Sequence, residues 1–425
     1  MYIQKKEQLL IQTDFRKMMR IIIIISLSLY LFVYDNYCQP QPDTELLKGI
    51  IAWDLKQYDS AIVHFSNAPD AIMKNYPGSY IYFGTSLLES GQKEMAVNKF
   101  LKAEKINKGS ASFWLAKTYA RTGNIDKCLE YLVLNLNSGY KEPESVIFLD
   151  ADLQKFDSNE KWKEFWKQAA YYSNFDAILS EADYLIKSGN LTDALALLNE
   201  NLNKSFRKSP LYARRSTVYS LMKNYKMASE DISRAIEGDK RNTDLIVLRA
   251  ELNMKQEKYK QALEDCNLIL KNDPYRIEIY PLRAEAANFN GLYEQAIEDM
   301  KYYLLYLPED HSVWYRFGKI HFSNHKYLGA LECYNKALQF DQSSPEYFEA
   351  RGETYLRTRT YRYATNDFSM ALDINPDNPR TFLNKGIAVL NLGNYDEACF
   401  CFEKAKQMGL FEAEEYLQKH CKSKQ

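Results

Sequence analysis

Four arginines, Arg215, Arg249, Arg283 and Arg351, share one register of a 34-residue period. A row of guanidiniums is the residue type that grips carboxylates and phosphates through paired N–H bonds. The same four periods carry Asp231, Asp265, Asp299 and Asp367, each sixteen residues further on. Where the arginine is replaced, by Phe317 or Glu181, the aspartate is replaced too, by Cys333 or Leu197, and Lys385 stands opposite Cys401. Joint gain and loss predicts ion pairs, within one helical hairpin or across to the adjacent repeat. The alternative, a ligand-binding anion ladder, would require these arginines to face open solvent.

Other constellations carry less. His321 and His325 have the i, i+4 spacing that lets two imidazoles share a metal. No third ligand can be named for them, and His321 stands where other periods have Tyr219 and Tyr355. Six cysteines follow residue 38: Cys128, Cys266, Cys333, Cys399, Cys401 and Cys421, with neither a Cys-x-x-Cys pair nor a zinc-type Cys/His spacing. Cys399 and Cys401 point to different faces of one helix and cannot bridge each other. Cys421 can approach one of them, though free thiols are the favoured reading. Cys266 is expected as a small buried hydrophobe. The chain has no Gly-rich phosphate loop, no Gly-x-Ser-x-Gly and no kinase-like set. No catalytic residue, metal or cofactor is expected, and the protein is not expected to be an enzyme.

The elements that position these residues follow from the period itself. Tyr225/Ala228, Tyr259/Ala262, Tyr293/Ala296, Tyr327/Ala330, Tyr361/Ala364 and Tyr395/Ala398 recur without a slip, with Leu191/Ala194 one period upstream. Within 379–412, Phe382, Gly386 and Val389 mark one face of a first helix, Gly393-Asn394 stops it, and Tyr395, Ala398, Phe402 and Ala405 stripe a second. Nine residues before the tyrosine the side chain is always small: Ala182, Ser216, Ala250, Ala284, Gly318, Gly352, Gly386. Small residues there let antiparallel helices approach closely, so that an aromatic of the neighbour (Tyr212, Tyr280, Trp314, Phe348 or Phe382) is expected to fill the space. Pro274, Pro308 and Pro376 punctuate the ends of second helices.

A two-helix unit of 34 residues with these small, Tyr, Ala, aromatic and Pro positions resembles the tetratricopeptide (TPR) family. The resemblance implies an all-α fold, a right-handed superhelical solenoid of antiparallel helix pairs. Seven units span 175–412, and three weaker ones, marked by Tyr58/Ala61/Phe65, Gly91/Ala96/Phe100 and Gly123/Cys128/Leu132, fill 42–142. The segment 143–174 breaks the period and reads as a degenerate helical repeat: a helix from Pro143 to Leu153, a break at Asp157-Ser158-Asn159, and a second helix with Trp162, Phe165 and Trp166. Residues 413–425 read as a polar capping helix.

In the TPR family the groove is lined by first-helix positions, and members that clamp a C-terminal carboxylate place Lys and Asn there. Here the fifth position reads Ala213, Val247, Pro281, Tyr315, Glu349, Leu383, and the ninth Thr217, Glu251, Glu285, Lys319, Glu353, Ile387. The clamp is absent. The lining turns apolar toward the last three units, so Tyr315, Lys319, Phe322, Glu353, Leu356, Leu383, Ile387 and Leu390 are the candidate partner-binding residues. The competing reading packs them against the neighbouring repeat or the cap.

Composition bounds the partners. Beyond residue 38 there are 50 Lys+Arg against 53 Asp+Glu, so no basic excess marks a nucleic-acid footprint. Residues 1–38 contain an uncharged run, Ile21–Tyr34, behind Lys17 and Arg20; it is short for a membrane span and suits a signal peptide. Cleavage before Gln39 is expected, with an uncleaved or Cys38-lipidated anchor as the rival, against which Tyr37 counts. The function expected is a non-catalytic protein-interaction scaffold of the cell envelope, secreted or periplasmic, like exported TPR proteins of Gram-negative bacteria. The alternative is a glycan or small-ligand binding protein, given 33 tyrosines.

Overall fold

The computed structural model describes residues 42–168, 171–240 and 242–421. All regular structure among them is helical: 24 α-helices and one 3-10 turn, with no strand. Two compact units are distinguished, one running through Ile246 and including Asn267–Arg276, the other comprising Val247–Cys266 and the chain from Ile277 on. The expected signal segment 1–38 lies outside the described residues.

In the first unit antiparallel pairs follow one another: Thr44–Asp54 with Tyr58–Asn67, Gly78–Glu89 with Lys93–Ile106, Ser112–Arg121 with Ile125–Leu136, Asn174–Lys187 with Leu191–Lys204, and Ser209–Leu221 with Tyr225–Gly238. In the second they are Ile279–Phe289 with Tyr293–Tyr306, His311–Ser323 with Tyr327–Phe340, Pro345–Arg357 with Tyr361–Ile374, and Pro379–Asn391 with Tyr395–Gln407. The pair Thr243–Lys255 and Tyr259–Asn272 falls on the division between the units. A short helix, Asp70–Asn75, is inserted between the first two pairs.

Each hairpin turns through one left-handed residue two places before its second helix. Gly91, Gly123, Gly189, Gly291 and Gly393 fill that place in five units, and Lys56, Lys223, Glu257, His325 and Arg359 in the others. A left-handed residue after the helix end lets the next N–H reach back to an orphan carbonyl. Lys326 N–H accordingly donates to His321 C=O at 2.9 Å. His325 is thus the turn residue of its hairpin.

The interior of each hairpin is set by the small first-helix residue. A Cβ on Gly318 would stand 2.4 Å from the Tyr334 ring, on Gly352 2.9 Å from Phe368, and on Gly386 2.5 Å from Phe402. The ring that fills the space therefore comes from the second helix of the same hairpin, not from a neighbouring repeat as expected. Units with alanine or serine at the small position carry a slimmer partner, such as Leu198 opposite Ala182 and Ile232 opposite Ser216, all buried.

The segment after Leu136 departs from its expected form. The helix is only Glu144–Phe148, followed by the 3-10 turn Gln154–Phe156 and the helix Glu160–Gln168. Asp150 explains the interruption: its carboxylate accepts from the N–H groups of Asp152 and Leu153 at 2.9 and 3.2 Å. Such a local bond competes with helix propagation. Asp150 and Asp152 also bind Lys117 and Arg121 at 2.8 and 2.5 Å, which anchors the bend to the preceding hairpin. Trp162, Phe165 and Trp166 pack in the same core.

At the C-terminus the helix Glu412–His420 lays Ala413 and Leu417 against Leu383, Phe402 and Ala405. A disulfide joins Cys399 to Cys421 with Cα atoms 5.8 Å apart, correcting the expectation of free thiols there. Cys128, Cys266, Cys333 and Cys401 are free and buried.

Candidate functional site

The arginine register resolves into ion pairs inside hairpins. Arg215 meets Asp231 at 2.6 and 2.8 Å, Arg283 meets Asp299 at 2.8 and 2.6 Å, and Arg351 meets Asp367 at 2.8 Å through both nitrogens. Arg249 grips Asp265 in the same fork, with Nη2 at 2.5 Å. The free edge of the guanidinium is used as well: Arg215 and Arg351 donate through Nη1 to Asn199 and Asn335 at 2.6 and 2.8 Å. Burial disfavours the Arg283 cation, and the bonds to Asp299 more than offset it, holding the guanidinium above its ordinary value. These groups are structural and do not form an anion ladder. Lys385, lacking an aspartate opposite, pairs with Glu397 at 3.4 Å.

The first-helix candidates divide by burial. Leu383 is fully buried in the core beneath the capping helix, so it offers no surface to a partner; the cap turns this fifth position into core. Tyr315 is half-buried, 4.8 Å from the Tyr347 ring and 5.9 Å from Tyr334. Lys319 is exposed, its ammonium 5.6 Å from the Tyr315 ring. Glu353, Leu356, Ile387, Leu390 and Phe322 are half-buried, and Glu353 reaches Arg357 at 3.7 Å. Phe322, Leu356 and Leu390 fall on one register, one per unit. Adjacent first helices are tied by polar contacts: Arg316 to Glu285 at 2.7 Å, Asn324 to Asn288 at 2.6 Å, and Thr381 to Glu349 at 2.6 Å. Glu285, Glu349 and Glu353, acidic groups of the fifth and ninth positions, are thus already engaged within the chain.

His321 shares a hydrogen bond of 2.7 Å with the Tyr293 hydroxyl. Burial, aided by nearby Lys301, pushes its imidazole below the usual histidine range. Among the described residues no group of three His, Cys, Asp or Glu side chains is placed to hold a metal ion. No described helix is long and apolar enough to cross a membrane. Burial pushes the Cys128, Cys266 and Cys333 thiols up to about 12 and Cys401 to about 11, which keeps them un-ionised and poorly nucleophilic.

One feature escaped the sequence reading. A cavity of about 650 Å³ opens at the hairpin His311–Ser323/Tyr327–Phe340, lined by Trp314, Phe317, His321, Gly329 and Cys333 among others. The signal that could have found it is in the chain: Phe317 and Cys333 stand where the ion pair is missing.

A stack of helical hairpins whose buried charges are paired internally is a repeat scaffold that works through its surface. Residues 318–358 match a family model described as TPR repeat, and 379–408 one described as tetratricopeptide repeat. The chain thus carries tetratricopeptide-type repeats in these two stretches, and the same antiparallel helix pairing recurs in each unit. Similar solved structures include a tetratricopeptide repeat protein from Parabacteroides merdae, 17% identical, covering 57% of this chain and 97% of its own, with a TM-score of 0.48. The C-terminal part of a TPR repeat-containing protein from Cytophaga hutchinsonii is 16% identical over 56% of this chain and 99% of its own, at 0.44. Yeast Tom70 is 17% identical over 89% and 96%, at 0.41. No curated protein matches the chain.

Proposed function

We propose that this solenoid is a non-catalytic protein-interaction scaffold of the cell envelope, taking partner segments along the first helices of its last units. The observation that carries the reading is the register of Phe322, Leu356 and Leu390, three large apolar side chains left half-exposed on successive hairpins. A repeating apolar row on a preformed surface suits an extended or helical peptide, because little ordering entropy is lost on binding. The envelope assignment draws on residues 1–38 and on the Cys399–Cys421 disulfide, since such bonds persist in oxidising compartments.

The test is capture of partners from an envelope extract by the chain and by its Phe322→Glu and Leu356→Glu variants. Loss of capture with unchanged helicity and melting supports the docking row. Capture that survives both substitutions sinks it, and loss of fold in either shows that the side chain is core. N-terminal sequencing of the mature protein addresses export: a chain beginning near Gln39 is expected, and an intact cytosolic chain would refute it.

A further inference from the structure

We propose that the hairpin His311–Ser323/Tyr327–Phe340 holds a binding site for a small aromatic carboxylate, created by the loss of the ion pair that other units keep. This goes beyond the scaffold reading and does not depend on it. In the units of Arg215 and Arg351, three positions sixteen residues apart interlock as Asn, Arg and Asp: Asn199–Arg215–Asp231 and Asn335–Arg351–Asp367. The corresponding set here is Lys301, Phe317 and Cys333. A buried Phe and a buried thiol cannot reproduce the forked bridge between the helices.

A second change enlarges the gap. Two residues after the repeat tyrosine other units carry Met227, Gln261, Gln295, Tyr363 or Glu397; this one carries Gly329. A Cβ there would stand 3.0 Å from the His321 ring, so the missing side chain leaves room for that imidazole. The resulting cavity of about 650 Å³ lies within the range of roughly 300–1,000 Å³ common to small-molecule sites.

Its chemistry selects the ligand. The Trp314 and Phe317 rings lie 6.3 Å apart at 27°, and Phe317 sits 4.5 Å from His321. The Trp314 indole N–H is already given to Pro308 C=O at 2.8 Å, so this residue offers a flat apolar wall and no free donor. Lys301 and Lys336 also line the cavity, against a single Glu332. Lys301 has no ion-pair partner among the described residues. Two ammonium groups against one carboxylate leave one positive charge, which balances a monoanion. A planar ring bearing a carboxylate matches both the walls and the charge. Phe317 and Phe322 are five residues apart, about 140° around the helix, so this site and the proposed docking row face different ways.

The experiment is titration of the full chain with 1-naphthoate and with uncharged 1-naphthalenemethanol, followed by calorimetry and tryptophan fluorescence. Saturable naphthoate binding, tighter than that of the alcohol, is expected. The double variant Phe317→Arg/Cys333→Asp rebuilds the pair found in four other units, and it should abolish binding while keeping or raising the melting temperature. Lys301→Gln should weaken naphthoate about tenfold, roughly 1.4 kcal/mol, and leave the alcohol unchanged. Gly329→Met, which borrows the residue at Met227, fills the cavity independently should the double variant misfold. Equal binding of acid and alcohol, undiminished affinity in the filled variants, or no saturable binding into the millimolar range would each overturn the proposal.

Discussion

The ring of Tyr334 occupies the space that a side chain at Gly318 would need, 2.4 Å from the position of its Cβ. The two residues face each other across one hairpin, and Tyr334 is almost completely buried. Glycine is required here by close approach, since any methyl group would push the ring into a packed interior. Gly318→Ala should therefore cost about 1–3 kcal/mol, the usual range for over-packing. Adding Tyr334→Leu should recover part of the loss, because the hairpin then adopts the slimmer pairing of Ala182 with Leu198. Chemical denaturation of the three variants decides it; equal stability of Gly318→Ala and the parent chain would refute the close-approach argument.

The Arg283–Asp299 pair carries a different asymmetry. Both side chains are almost fully buried, at 8% and 5% exposure, so removing Arg283 leaves the Asp299 carboxyl buried without its counter-charge. Breaking such a pair costs about 3–5 kcal/mol, whereas replacing both partners with apolar groups is often nearly neutral. Arg283→Leu alone should thus destabilise more than Arg283→Leu with Asp299→Leu. A double variant less stable than the single one would show that the pair contributes more than mutual neutralisation.

These two relationships differ in how far they could be read from the chain. The Arg–Asp contact was legible because both members vary together and because a hairpin turns a constant separation in sequence into a contact in space. The aromatic opposite Gly318 is Tyr334 of the same hairpin and not a ring of the neighbouring repeat, and periodicity does not reveal this because it depends on how the two helices are phased about the turn. Leu383 reads as groove by its register, yet the docking of Glu412–His420 buries it. The break after Phe148 arises from the Asp150 carboxylate capturing nearby N–H groups, a competition that helical periodicity does not reveal. The cavity beside Phe317 shows in the sequence only as a missing pair, Phe317 and Cys333 in place of Arg and Asp.

Acid should loosen the second unit in a defined window. Bonds from the Ser344 and Ser343 hydroxyls hold the Asp341 carboxyl down to about 2. At Asp310 burial opposes the charge, but bonds from Ser312, Tyr303 and the Val313 N–H outweigh it and lower the pKa. A carboxylate with a folded pKa below its unfolded value of about 3.9 adds stability above that pH. That stability is lost as pH falls from about 4 toward about 2. Melting followed by circular dichroism should show a steep fall in this window. Asp341→Asn and Asp310→Asn should each melt lower at neutral pH and show a shallower fall in acid. An unchanged acid slope in both would remove these carboxylates from the account.

Cys399 and Cys421 tie the capping helix to the last hairpin across a sequence separation of 22. In the chain-entropy model a loop of this size is worth about 3 kcal/mol. The capping helix has nine residues, fewer than an isolated helix needs to persist in water, so it relies on the bond and on the burial of Ala413 and Leu417. Cys421→Ser, or reductant applied to the parent chain, should speed amide exchange across Glu412–His420 and uncover the Leu383 and Phe402 cluster beneath it. Exchange in the earlier hairpins should change little, because solenoid units couple mainly to their neighbours. If exchange in the capping helix were the same with and without the bond, packing alone would be holding it in place.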